Sequence, residues 1–355
     1  MDGAVAGTAP PRTISLGTMF VGPLFDYLLI GGLLSWAAGA FLYFGGYNFP
    51  DDDPFLWWAI LVSNWAHFAA STVRLYTRPD AVKNWPILTL AFPVIAVAVV
   101  TAALVVGDPF GRYLFALYLV WSPYHYSRQA YGLSVMYAYR SGGELEATGK
   151  RLILWVCLLP FFWTLLHPDG GMALILPRMF YAAFPFRQQV MQALTVLSLA
   201  APAALWLWGR SRRAAALPLI SLVVIVSNAI WWTLFNYFNA FVWATVFHGL
   251  QYLAIVSIFH VKDQARRNTN AHGWFFHTAT FYVTCLILGW VLFFRWPQAY
   301  WLLGFPIVQS GLLVTAIINI HHFVVDAFIW KLRRDPNYQT VVDVPAPAVP
   351  GASLS

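Results

Sequence analysis

Four apolar stretches of this chain each carry histidine where a lipid bilayer has no water to offer. They read Asn64-Trp65-Ala66-His67-Phe68, Tyr124-His125-Tyr126-Ser127-Arg128-Gln129, Phe247-His248-Gly249-Leu250-Gln251-Tyr252 and Asn319-Ile320-His321-His322-Phe323-Val324-Val325-Asp326. An ionisable side chain inside a membrane span is costly to place, so it marks a buried site with a partner. Imidazole is the commonest side-chain ligand of iron, zinc and copper. Histidines on four helices can surround one point, and the chemistry expected is metal chemistry.

Each histidine has polar company at helical spacing, where side chains share a face. His67 has Asn64 three before it, Ser71 four after and Arg74 seven after. His125 has Arg128 and Gln129. His248 has Gln251 and Tyr252. His322 has Asn319 three before and Asp326 four after. A stripe of this kind should face the bundle interior. The expected ligands are His67, His125, His248 and at least one of His321 and His322, whose side chains diverge by about 100° on a helix. Asn64, Gln129, Gln251 and Asn319 are expected to accept the second ring N–H of a ligand. Asp326 is either another such group or a ligand itself. Arg74 and Arg128 are expected to bind an anionic group of a substrate, or to pair with Asp326 or Asp26. A single intramembrane histidine often serves only as a strut between helices. Four at one depth favour a shared site.

The residue supply narrows the chemistry. Asp26 and Asp326 are the acidic residues of the spans, and Glu144 and Glu146 fall in a loop. A carboxylate-bridged di-iron centre built on Glu-x-x-His has no glutamates to use. There is no HExxH pair and no G-x-S-x-G nucleophile elbow. Cys157 and Cys285 lie in separate apolar runs, without the spacing of a thiolate site. His260, His272 and His277 are expected at a solvated cytoplasmic surface, and His167 at the opposite end.

Composition dictates the scaffold that carries these residues. Of 355 residues, 60% are apolar and 10% charged, against about 25% charged in a soluble domain. Apolar runs predict an all-α, polytopic transmembrane helix bundle of about ten spans, near 24–44, 55–76, 86–106, 113–139, 152–166, 190–208, 214–235, 241–260, 274–294 and 302–330. Residues 1–16 and 339–355 are expected to be disordered tails flanking one transmembrane domain, 17–338. Segment 167–188 is expected as a loop with an interfacial helix.

Loop charge sets the orientation. Loops after the even spans carry three basic residues each: Arg74/Arg78/Lys83, Arg140/Lys150/Arg151, Arg210/Arg212/Arg213, Lys262/Arg266/Arg267 and Lys331/Arg333/Arg334. The odd loops hold Arg112, Arg178, Arg187 and Arg295, and the first is Asp51-Asp52-Asp53. The positive-inside rule then places both termini in the cytoplasm. The net charge of +7 is thereby spent on topology, and no basic face remains for nucleic acid. The histidine-bearing spans are all even and run the same way. At about 1.5 Å per residue, their histidines lie roughly 15–22 Å from the next cytoplasmic cation, near the bilayer midplane or its cytoplasmic half. The tryptophans and tyrosines form an aromatic belt in the main, with Trp65, Trp121, Trp243 and Trp290 mid-span.

This combination resembles the polyhistidine integral-membrane oxygenases, and within them the Brp/Blh-type carotenoid dioxygenases. The residues carrying the resemblance are His67, His125, His248 within Phe247-His248-Gly249-Leu250-Gln251-Tyr252-Leu253, and His321/His322. The HxxxH and HxxHH boxes of membrane desaturases are absent. The resemblance implies O2 activation at non-haem iron and oxidation of an isoprenoid, carotenoid or fatty-acyl chain entering from membrane lipid, in a bacterial inner membrane, with an electron-donor protein where one is needed. Copper, zinc or haem are the alternative cofactors. The rival functions are a haem-binding electron-transfer protein and a proton-coupled transporter.

Overall fold

In hydrocarbon every backbone polar group must find its partner within the protein, which leaves the helix as the economical spanning element. The computed structural model is helical throughout, with no strand among the described residues. These are residues 14–45, 54–107, 110–176, 179, 183–211, 217–233, 235–267, 271–330 and 341. Most of both expected tails, Asp51-Asp52-Asp53, Arg178, Arg212, Arg213, Lys331, Arg333 and Arg334 lie outside them.

The helices that matter are α1 (Pro23–Ile30), α2 (Leu33–Phe44), α3 (54–76), α4 (Ile87–Val106), α5 (Phe110–Arg140), α6 (Ala147–Leu166), α7 (Arg187–Ser211), α8 (Leu219–Thr233), α9 (Tyr237–Ala265), α10 (Trp274–Leu302) and α11 (Ile307–Ile329). Six are long and apolar enough to cross a membrane, namely α4, α6 with the turn after it, α7, α9, α10 and α11. The α1–α2 pair, bent by 61°, would make seven. Each expected span coincides with a helix, but α3, α5 and α8 fall short of that standard. α3 and α5 are diluted by their own histidine, asparagine, serine and arginine residues, and α8 has only 15 residues.

Boundaries shift where sequence signals were weak. α10 continues past 294 through a π-helical turn at Val291–Arg295, so Arg295 lies within a helix. There it stacks on Trp290 at 4.4 Å and donates to Gln298. The first span breaks at Gly31-Gly32, where Gly32 takes φ +89°, a conformation open to glycine. Three carbonyls at the break are met by side chains. Gln251 donates to Ile30 O, Ser227 to Gly31 O and Ser35 to Gly32 O.

Polar ties fix relative direction. Arg140, at the end of α5, donates to Met19 O (3.1 and 2.9 Å) and to Val341 O (2.9 Å). Both ends of the described chain therefore meet at one end of the bundle. Arg267, just past α9, donates to Thr77 O past α3, and Arg78 donates to Ile329 O at the end of α11. Phe259 of α9 packs on both Phe20 and Trp330. The C-terminal ends of α3, α5, α9 and α11 thus share this end, and these four histidine-bearing helices run in parallel.

Candidate metal centre

Helix α3 carries His67 just past a π-helical turn at Ile60–Trp65. A π turn adds a residue to the helix and re-aims the side chains beyond it, and such turns recur at functional sites. Two glycines press on this turn. A Cβ at Gly249, next to His248, would lie 3.0 Å from Ser63 O and from His67 Nδ1, and one at Gly289 would lie 2.7 Å from Trp65 O. Only glycine lets α9 and α10 approach the α3 backbone this closely. Pro123 lies inside α5, two residues before His125.

The four side chains form a closed ring. Centroid separations are 5.1 Å for His67–His248, 5.0 Å for His248–His125, 4.9 Å for His125–His322 and 4.9 Å for His322–His67. His67, His248 and His322 can each bring a nitrogen within 4.8 Å of the other two, and so can His125, His322 and Asp326 with one carboxylate oxygen. His67, His248 and His322 have no accessible surface. Both nitrogens of His67 and both of His248 lack a hydrogen-bond partner. Such orphaned buried groups are rare in native structures, because each carries its full desolvation cost.

His322 is oriented from behind. Its Nδ1 lies 3.1 Å from Ser71 Oγ, and that hydroxyl itself donates to Phe68 O. Ser71 therefore accepts from Nδ1–H, which leaves Nε2 with its lone pair aimed inward. Nε2 is 3.2 Å from His125 Nε2 and 3.5 Å from Asp326 Oδ2. The other oxygen of Asp326 accepts from Tyr252 O–H at 2.7 Å, and Trp330 Nε1–H donates to that hydroxyl at 3.3 Å. Asp326 Oδ2 stands 3.8 Å from His125 Nε2.

The ring spacing matches that of imidazoles around one ion, while the donor atoms fall into two sets of three that share His322. Imidazole ligands at about 2.0–2.1 Å would put neighbouring ring centroids roughly 4.5 Å apart in a square arrangement and roughly 5.2 Å in a tetrahedral one. The observed separations of 4.9–5.1 Å fall between.

Other expected site residues are placed differently. His321 points away from the ring toward Phe92, at 4.9 Å, as the divergence of adjacent helical residues requires. None of the four amides hydrogen-bonds an imidazole. Gln129 donates to Gln251 Oε1 and to His248 O, Gln251 supports the α1–α2 break, and Asn319 donates to Thr315 O. Asn64 Oδ1 and Asn319 Oδ1 are buried without partners. Arg74 pairs with Asp263 at 3.0 Å, between Phe259 and Trp330, and not with Asp326 or Asp26. Asp26 instead accepts from the backbone N–H of Phe20, Val21 and Gly22 and from Tyr137. Arg128 is exposed, with its guanidinium over Tyr131 at 5.2 Å. His260 is buried and stacks on Phe281, contrary to the expected solvated position. His167 lies against Trp163 and Tyr237.

Several neighbours of the ring have roles that spacing did not assign. Tyr126 stacks on the His248 ring at 4.1 Å, a partner on another helix that spacing along α5 cannot give. Ser71 shares the His67 stripe yet serves His322. Trp330 lies beyond the end of α11. A cavity of about 850 Å³ opens between α5, α9 and α11, with His125 and Asp326 in its wall.

No family model, no curated protein and no solved structure matches this chain.

Proposed function

We propose that this chain is a membrane-embedded, metal-dependent oxidoreductase, an oxygenase of the polyhistidine kind. In this reading His67, His125, His248 and His322 hold one non-haem iron, and Asp326 either ligates it or holds a proton beside it. The observation that carries the reading is the closed ring of four buried imidazoles with orphaned nitrogens. A bound iron supplies one-electron chemistry toward O2, copper would do the same, and zinc would supply only Lewis acidity.

The chain's own residues do the rest. Ser71 holds His322 in the tautomer that presents Nε2. Tyr252 pins one oxygen of Asp326 and leaves the other free to face the ring. Phe68, Tyr126 and Phe323 pack on the imidazoles and exclude water. The 850 Å³ cavity is the size of a pocket for a small lipophilic molecule, and His125 and Asp326 face it. The lipophilic substrate would enter from lipid, with O2 as co-substrate and a donor protein for any reaction needing outside electrons. Four rings this close leave no flat slot for a macrocycle, which favours an ion over haem. The shared end for both chain ends supports an even number of spans, ten in our reading with both termini cytoplasmic; the bacterial inner membrane rests on the resemblance alone.

The string Tyr252–Asp326–His322–His125 also favours a second reading, a proton relay in a transporter. Metal analysis separates the two. Purified protein should carry close to one equivalent of iron or copper, and His125→Ala or His248→Ala should lose most of it while His167→Ala retains it. Metal-free protein that cannot be loaded would leave the relay as the better account.

A further inference from the structure

The cavity holds a charge that the metal reading does not use. Its lining includes His125, Asp326, Trp121, Tyr131, Phe323 and Arg128. Arg128 is exposed, and its contact is with the Tyr131 ring at 5.2 Å. Among the described residues, no carboxylate pairs with it. Gln129 is tied to Gln251, and Asp326 accepts from Tyr252.

Depth makes this arginine unusual. It stands twelve residues before Arg140 and eighteen after Phe110 on one continuous helix, about 18 and 27 Å from the two ends. With α5 taken as a span, as in the ten-span reading, its 31 residues exceed a core about 30 Å thick by less than either distance, so Arg128 falls inside the core. An unpaired guanidinium at this depth is costly, and such groups mark ligand or ion pathways. Its planar fork matches a carboxylate or phosphate. His125 lies one helical turn away on the same helix, so an anion held by Arg128 would lay the attached chain along the aromatic wall toward the imidazole ring.

We infer that Arg128 is the head-group anchor of the cavity, and that the ligand is an acidic amphiphile, an apolar chain ending in a carboxylate or phosphate, rather than a neutral hydrocarbon. This deepens the oxidoreductase reading by naming its substrate class and rests on that reading for the word substrate. The binding claim stands apart from it.

The test is equilibrium binding to purified protein in detergent, read by quenching of the cavity tryptophans with three bromine-substituted probes of equal chain length: a fatty carboxylate, an alkyl phosphate and an alcohol. One or both anions should bind about tenfold tighter than the alcohol, the size of a charge-assisted hydrogen bond. The tighter anion assigns the head group. Arg128→Gln should erase the difference, Arg128→Lys should keep part of it, and Arg128→Glu should prefer a bromine-substituted alkylamine. The reversed preference cannot come from misfolding. Equal binding of alcohol and anions to the wild type, or undiminished anion binding by Arg128→Gln, overturns the anchor. Metal content is read on the same samples. Loss of the metal reading with anion preference intact would leave a lipid-binding cavity without the oxidase, while a metal-bearing protein indifferent to charge would leave the oxidase without the anchor.

Discussion

His322 uses its two ring nitrogens differently, and this division is testable at the level of single atoms. Nδ1 is held by Ser71 and Nε2 faces His125 and Asp326. Ser71→Ala removes the acceptor that fixes the tautomer, without touching the ring of four. Metal affinity, read by competition with a chelator, should fall about 10–100-fold, less than the loss expected for His67→Ala or His248→Ala. An unchanged affinity would mean that the tautomer is set elsewhere. Tyr252→Phe makes a second case. It keeps the ring that packs against His67 and His322 and deletes the hydroxyl that Asp326 accepts from. One carboxylate oxygen is then left buried without its donor, a cost of about 1–3 kcal/mol. Thermal unfolding in detergent should show it as a lower midpoint than wild type, and an unmoved midpoint would mean that water replaces the hydroxyl.

Helix α3 shows how an element aims a residue. Its π turn at Ile60–Trp65 is held between Gly249 of α9 and Gly289 of α10. A methyl group at 289 would be 2.7 Å from Trp65 O, a distance that backbone must yield to. Gly289→Ala should therefore push α3 away and pull His67 out of the ring, with loss of bound metal and a melting point lower by several degrees. Gly311→Ala provides the contrast, because nothing lies within 4 Å of a Cβ there. In α11 it should be neutral or stabilise by up to about 1 kcal/mol. Equal responses at 289 and 311 would show that the close approach does not determine the position of His67.

Across the bundle as a unit, α9 and α11 are the most enclosed of the six candidate spans, 61% and 67% buried over their most apolar stretch, and they carry His248 and His322. Because the ring joins four helices, an ion bound there should stabilise the entire bundle. Stripping the metal with a chelator should lower the melting point and re-addition should restore it, by the linkage between binding and folding. The parallel course of α3, α5, α9 and α11 also predicts topology. Reporter fusions after Asp53 and after Arg213 should report opposite sides of the membrane. The same side for both would remove an odd number of spans from our count.

That the chain is a helical membrane protein is legible in its composition, because 60% apolar residues with 10% charged leave few other states in water or lipid. Also legible are the helices that hold histidine and their common direction, since loop charge alternates with span number. The stripes at three and four residues marked the inward faces. Spacing left His321 and His322 both open as ligands, although only His322 shares a stripe with Asn319 and Asp326; packing settled the choice, with Phe92 against His321. Packing likewise reassigned Arg74 to Asp263 and Ser71 to His322. Those partners lie far apart in the chain, and same-helix spacing carries no information about partners on other helices. The amides expected behind the imidazoles are used elsewhere, Gln251 to close the backbone at Ile30 and Gln129 to bridge α5 to α9. A stripe shows that a face is polar and buried. Which atom on that face meets which is settled by how the helices pack.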